Sequence, residues 1–433
     1  LFPTLILNSI SNNMLGKARY TLKLVLASLA IGVLGYVAHF PPLLPLSAET
    51  KASLGYPKDS LLNVTERALR HGYLASEHSV LTKDGYLLKM FRLQRPGEVK
   101  GPPVLLMHGL LQSAASWLDA GPSAGLAYLL AAAGFDLWLG NARGTHYSRQ
   151  HAWLNPDKDS KYWDFCVDEI GRYDVPALTD HVLQQTGAQK LNYVGFSQGA
   201  GTFYIMCSEW PGYCDRIGVM IGLAPAARQT HTKSALYRIL TETFTKFEGM
   251  FSSLGIYEVF SKGALSQEFL AFFCQLSGIT AQICESGKDL LDSLSSPHPG
   301  SIKNDTIRTL FGNFPAGTSV HNMARYGQSM VSPHFQKFDY GKKHNLVLYG
   351  SENPPSYNLS AVTVPVVAIY GRNDGLVDTS DVEWLLKKLP NVLEAVEVKD
   401  PLWNHLDVTY SQFTGEMILP KIEEYLFKYS TNS

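Results

Sequence analysis

The sequence is short of cysteine, of charge and of any excess of one charge sign, and each shortage removes a class of protein. Five cysteines in 433 residues are too few for a disulfide-built scaffold, and no CxxC pair is present to hold zinc or run dithiol chemistry. The odd count leaves at least one cysteine without an intrachain disulfide partner. Charged residues are 17% of the chain against a usual ~25%, and 45% of residues are hydrophobic, a balance that excludes disorder and suits a protein that meets apolar material. The 37 Lys and Arg nearly cancel the 38 Asp and Glu, so no whole-molecule field favours nucleic acid or anionic membranes. There is no GxGxxG and no Walker A pattern, so no nucleotide is expected. There is no HExxH, and His146 and His151 are five apart, off the spacing of a zinc helix, so no metal is expected either. No cofactor of any kind is indicated.

The N-terminal stretch reads as a targeting segment. Residue 1 is not Met, and residues 1–13 are read as lying upstream of a start at Met14. Lys17, Arg19 and Lys23 then precede the apolar run 24–38 (LVLASLAIGVLGYVA), the order of a signal peptide. The run is shorter than the ~20 residues of a spanning helix, so a cleaved signal is expected rather than an anchor. Residues 1–48 are therefore set apart from the fold, and the protein is expected in the secretory pathway, either secreted or lysosomal. Asn63, Asn304 and Asn358 then become glycan acceptors by sequence (NVT, NDT, NLS). Cys274 and Cys284, ten residues apart, are the first choice for a disulfide, Cys207 and Cys214 the second, and Cys166 is chosen as the free thiol.

From about residue 79 to 230 short apolar runs alternate with amphipathic stretches, the βαβ signature of a mostly parallel sheet. Strands are expected at 85–94, 103–107, 136–139, 191–194 and 217–222, and helices at 126–133, 175–186 and 201–209. Gly134 and Gly187 stand where helices should end. Between 228 and 345 the strand runs give way to helical, aromatic sequence, read as an insertion. Strands resume at 364–370 and 392–398, and a helix at 418–429 closes the chain. The organisation expected is an α/β core over 49–227, a helical cap or lid over 228–345, and the rest of the core over 346–433.

The string LNYVGFSQGAG sets Gly195-Phe196-Ser197-Gln198-Gly199 after an apolar strand and before a helix. This matches a nucleophile elbow, where a strained Ser needs nearly side-chain-free residues two places to either side. Gly121-Pro122-Ser123-Ala124-Gly125 also fits GxSxG, but no strand precedes it. On this kind of fold the order is Ser, acid, His. Of 13 histidines only His405 follows the strand 364–370. The turn after that strand holds Asp374, with Asp378 and Asp381 as rivals that read better as a turn residue and a helix N-cap. The oxyanion amides are expected from Gln198, after the nucleophile, and from Leu110 in the loop His108-Gly109-Leu110. His108 precedes the acid and reads as a loop-shaping residue rather than the base.

With these in place, the chain resembles the acid lipase family, the gastric and lysosomal acid lipases and their relatives, members of the α/β-hydrolase superfamily. The resemblance lies in MHGLLQSAASW, AGFDLWLGNARG, YVGFSQG, PAGTSVHNM, PPSYNL, DGLVDTSDV and NHLD, and runs from about Ser53 to Lys428. It implies a lipase with a helical cap, acting on triacylglycerols or cholesteryl esters at a lipid–water interface, with Ser197, Asp374 and His405 as triad and the Leu110 and Gln198 amides as oxyanion hole. Two departures stand out. Relatives commonly have His before the nucleophile (GHSQG) where this chain has Phe196, a side chain expected to point away from the line of attack. Cys274 and Cys284 match the family's cap disulfide only loosely in spacing. The rival readings are a carboxylesterase for shorter or soluble esters, a catalytically silent lipid-binding protein, and, more remotely, a peptidase on the same fold.

Overall fold

The computed structural model describes residues 47–430 apart from 54, 98, 100, 262–288 and 290. Residues 1–46, which hold most of the expected targeting segment, and the pair Cys274 and Cys284 lie outside the described residues.

An eight-stranded sheet runs in the order β1-β2-β4-β3-β5-β6-β9-β10. Its strands are β1 Leu74–Leu81, β2 Leu87–Gln94, β3 Val104–Met107, β4 Leu137–Gly140, β5 Leu191–Phe196, β6 Ile217–Leu223, β9 Val366–Tyr370 and β10 Val392–Glu397. Only the pairings of β2 with β1 and with β4 are antiparallel; the others are parallel. β3, β4, β5 and β9 are buried along their whole length. That is why they read as unbroken apolar runs: a parallel strand covered by helices on both faces has no wet side. Successive residues still part between two cores. Leu105, Met107 and Tyr193 join one apolar cluster, while Val104, Leu106 and Val194 join the other.

The helices that cover the sheet include α1 Leu126–Ala132, α2 Val175–Thr186 and α3 Gln198–Glu209. α2 ends on Gly187 in the left-handed conformation, φ +71°, as its sequence predicts. α3 begins three residues earlier than the expected 201, directly on the residue after Ser197. β1 had no sequence counterpart beyond its last residues, because this edge strand is largely exposed and carries no apolar run.

Between β6 and β9 lie α4 Ala235–Ser253, the two-residue strands β7 Glu258–Val259 and β8 Thr318–Ser319, and α5 Val320–Ser329. The ribbon of β7 and β8 adds two short strands to a stretch read as helical. α4 and α5 pack closely. A Cβ on Gly327 would come within 2.0 Å of Thr245 Oγ1, and that hydroxyl donates to the Ala324 carbonyl at 2.9 Å. α6 Thr379–Leu386 connects β9 to β10, and α7 Leu419–Lys428 follows β10.

Cys207 and Cys214, the second-choice pair, are disulfide-bonded, tying the end of α3 to the turn before β6. Cys166 is free and buried, as expected. All three sequon asparagines are exposed, and Asn63 also caps a short helix by accepting from the Glu66 amide at 2.9 Å.

The core carries one large ionic knot. Arg143, just past β4, is buried, donates to Asp174 (Nε, 2.8 Å) and Asp84 (Nη1, 2.6 Å), and stacks 3.8 Å from the centre of the Tyr86 ring. Arg143→Met leaves the buried Asp174 with the amide of residue 143 but no guanidinium, so unfolding free energy should fall by about 3–5 kcal/mol; a urea midpoint that hardly moves would refute this.

A second ionic contact joins the α4 and α5 layer. His321 on α5 meets Glu248 on α4, Nδ1 to Oε1, at 2.6 Å. Burial opposes the imidazolium, but the Glu248 hydrogen bond and charge, with Glu169 and Asp164 nearby, raise its pKa above the usual histidine value. A histidine raised in the folded state adds stability that is full below its ordinary pKa and fades as pH rises through the raised one. His321→Asn should therefore lower Tm more at pH 5 than at pH 8. Thermal melts of wild type and variant at both pH values measure the difference, and an equal loss at both would exclude the ion pair as its source.

Candidate active site

The nucleophile turn is dictated by what cannot fit in it. β5 ends on Phe196, and Ser197 adopts φ +51°, ψ −113° before α3 begins, a strained setting for a residue with a side chain. A Cβ on Gly195 would lie 2.7 Å from the Ala200 nitrogen, and one on Gly199 would lie 2.2 Å from the Met107 carbonyl oxygen. Both positions therefore demand glycine, as the elbow motif requires. Ser197 is 6% exposed and sits at the positive end of the α3 dipole. Ser123, the other GxSxG serine, is exposed in a turn between helical segments.

Asp374 and His405 come together from separate loops. His405 Nδ1 donates to Asp374 Oδ2 at 2.7 Å. Asp374 Oδ1 accepts from the Leu376 and Val377 amides, both at 2.8 Å, so the carboxylate is held from two sides. Both residues are buried. The rival aspartates have other tasks. Asp378, not Asp381, is the N-cap of α6, accepting from the Ser380 amide at 2.8 Å. The helix starts at Thr379, earlier than the run VEWLLKKL suggests. Asp381 lies in the first turn and receives Arg228, Thr230 and the His231 amide.

Phe196 supports the imidazole. Its ring centroid is 4.8 Å from that of His405 at an interplanar angle of 38°, and it also meets Trp117 edge-on. It is thus turned into the core, and it backs His405 directly, a contact the sequence did not suggest.

The two amides expected to receive the oxyanion are those of Leu110 and Gln198. Gln198 opens α3, so its N–H has no partner within the helix. Among the described residues the Leu110 amide has no hydrogen-bond acceptor. The loop around Leu110 is fixed in detail. The Gly109 amide donates to Gln112 Oε1 (3.2 Å), and Gln112 Nε2 donates to Thr409 Oγ1 (3.0 Å) and Tyr410 OH (3.1 Å), just past the His405 loop. His108 accepts the Ala142 amide at Nε2 (3.1 Å), so its other nitrogen, Nδ1, donates to the Gly109 carbonyl (2.8 Å). Full burial pushes His108 down to about 4, so it stays neutral with one tautomer and shapes the loop.

Sequence reasoning missed the partners of the Gln198 side chain. Its Oε1 accepts from Asn322 Nδ2 at 3.0 Å and Tyr326 OH at 3.1 Å, both on α5. The only signal was the string PAGTSVHNM, which named no role. The His151 ring is engaged by the chain itself: Nε2 lies 3.0 Å from the Asp84 carbonyl, Nδ1 accepts the Trp153 and Leu154 amides, and the ring meets Trp153 edge-on. Among the described residues no group of three or more His, Cys, Asp or Glu could hold a metal ion.

The chain matches two family models: the partial α/β-hydrolase lipase region over residues 64–121 and the α/β-hydrolase fold over residues 102–408. It is 37% identical to Lipase 1 of Drosophila melanogaster over 86% of this chain and 81% of that one. It is 34% identical to gastric triacylglycerol lipase of Bos taurus over 84% and 91%, and 33% identical to Lipase member K of Mus musculus over 83% and 90%. A crystal structure from Sulfolobus solfataricus superposes with a TM-score of 0.55 at 13% identity, covering 82% of this chain and 95% of that one, a likeness of fold alone. The chain belongs to the family of α/β-hydrolase lipases that includes gastric triacylglycerol lipase, and it is a carboxylic ester hydrolase.

Proposed function

We propose that this protein hydrolyses neutral lipids, triacylglycerols and also cholesteryl esters, through an acyl-enzyme formed on Ser197. The observation that carries the reading is the 2.7 Å bond from His405 Nδ1 to Asp374, in a chain whose Gly199, two residues past the strained Ser197, packs on the Met107 carbonyl just before the Leu110 loop. His405 takes the Ser197 proton as Oγ attacks the ester carbonyl. The Leu110 and Gln198 amides receive the oxyanion, each worth about 10²–10³ in rate. The intermediate then collapses, the alcohol leaves with the proton from His405, and a water activated by His405 releases the fatty acid. Asp374, pinned by two amides, holds the imidazole in the required tautomer.

Lipid as substrate is supported by apolar side chains left bare on α4. Ile239, Phe247 and Met250 on the helix, and Leu254 directly after it, are all exposed, within the stretch 228–345 read as the cap. Secretory-pathway localisation is part of the same proposal, with Asn63, Asn304 and Asn358 as exposed acceptors. Among the described residues no helix is long and apolar enough to cross a membrane.

Wild type and Ser197→Ala, assayed on emulsified long-chain triacylglycerol and on a short soluble ester from pH 4 to 8, test the reading. Long-chain hydrolysis should fall by about 10⁴-fold or more in Ser197→Ala, and Asp374→Asn should lose about 10⁴-fold. Turnover of the short ester alone would replace the lipase reading with that of a carboxylesterase, and lipid binding with no turnover would leave a silent lipid-binding protein. Removing the support beneath the base should also be costly. Phe196→Ala is expected to lose about 3–5 kcal/mol of stability and about tenfold in kcat as the imidazole shifts; denaturant melts and turnover per labelled serine would read both, and an unchanged kcat would show that the ring supports only the fold.

A further inference from the structure

The stretch 293–301 reaches both loops that carry the acid and the base. On the acid side, Asn373 Nδ2 donates to the Pro297 carbonyl at 3.0 Å and to the Leu402 carbonyl at 3.0 Å. A Cβ on Gly375 would lie 2.1 Å from the Ser295 carbonyl oxygen. On the base side, the His405 amide donates to Ser295 Oγ at 3.2 Å, and Asn404 Nδ2 donates to the Ser296 carbonyl. The two partners of the Asp374–His405 bond are thus referred to one common segment.

The centre of this fastening is His298, only 7% exposed. Its Nδ1 lies 2.7 Å from Asp407 Oδ2 and its Nε2 lies 3.3 Å from Asp400 Oδ2, so its two nitrogens face carboxylates on either side of the His405 loop. Asp407 in turn organises that loop. Its Oδ2 also accepts the Asn404 amide at 2.7 Å, and its Oδ1 accepts the Ser301 hydroxyl. The Leu406 and Asp407 amides end on Asn404 Oδ1 at 2.9 and 3.1 Å. The residues on both sides of His405 therefore hang on one buried carboxylate, and a buried carboxylate holds its place only while its donors are present.

We propose that His298 is a positioning residue for the ester hydrolysis: through Asp407 it fixes the His405 loop and so the angle at which the imidazole meets Asp374 and Ser197. The inference rests on the proposed triad. It assigns no contact with substrate to His298. A misplacement on the scale of an ångström at a catalytic group costs up to about 10²-fold, and that sets the expected effect.

The test uses the full chain with His298→Ala and with His298→Asn, whose amide nitrogen can donate to Asp407 from about the place of Nδ1. Active sites are first counted with a fluorophosphonate that labels the serine. On a short soluble ester, His298→Ala should lose about 10–100-fold in kcat per labelled site with KM within about twofold, and His298→Asn should recover most of the loss. The low-field proton resonance of His405 Nδ1–H, bonded to Asp374, should shift in the alanine variant and return in the asparagine variant. Asp400→Asn, at the more exposed end of the pair, is the folding-safe companion and should move the same resonance by less. A role in folding alone would lower Tm and yield but leave kcat per labelled site and the resonance unmoved, and that result overturns the proposal. An inert wild type would sink the lipase reading instead, while the resonance, which needs no substrate, would still decide the place of His298.

Discussion

The site depends on one close approach, that of Gly199 to the Met107 carbonyl. With a Cβ at 199 that oxygen would be 2.2 Å away, so the contact exists only because the residue is glycine. Met107 ends β3 and Gly199 lies in the first turn of α3. Next to Met107 come His108, Gly109 and Leu110, and next to Gly199 come Gln198 and Ser197. Bringing 107 against 199 therefore draws the loop that holds Leu110 toward the turn of Ser197 and Gln198, the arrangement on which the proposed oxyanion hole rests. The strain at Ser197, of order 1–3 kcal/mol for such a backbone, is borne by the flanking strand and helix, whose bonds from Ser197 N to Leu223 O and from Ala200 N to Ser197 O over-determine the turn.

The opposite half of the site is built by a different device, polar side chains that tie loops together. Gln112 joins the oxyanion loop to Thr409 and Tyr410, and the Leu376 and Val377 amides hold Asp374. His108 shows why burial matters here. An imidazole that charged on acidification would lose its acceptor nitrogen and with it the Ala142 amide. Pushed down to about 4 by burial, His108 keeps both bonds, so the loop keeps its shape well into the acid range.

Much of this was legible in the sequence, for physical reasons. Parallel strands buried on both faces have to be apolar throughout, and the runs at β3, β5 and β9 announce themselves. The elbow is local, so Gly195, Ser197 and Gly199 state their own requirement. His405 follows from chain order alone, and Asp374 from its place in the turn after β9. What stayed hidden acts across distance. Nothing at Gln198 predicts that its side chain will meet Asn322 and Tyr326 more than a hundred residues later. Nothing at His298 predicts Asp407. The edge strand β1 lacks a fully buried face and so lacks the pattern. Cysteine spacing ranked the 207–214 pair second, yet it is bonded, since a separation of seven residues is enough to close the loop.

Phe196 shows how a departure from the family pattern can fit the same site. In relatives with GHSQG the residue before the serine is histidine, a side chain that can take a proton. Here it is a ring that cannot charge, packed 4.8 Å from His405 and leaning on Trp117. Strand alternation places it on the core side, away from the serine hydroxyl, so the change alters the backing of the base rather than the line of attack. An apolar backing keeps water from one face of the imidazole, and a drier surrounding strengthens the single hydrogen bond that orients it. The His405 imidazole then relies on Asp374 for its tautomer and on Phe196 for its plane, two constraints at right angles in kind, one electrostatic and one steric.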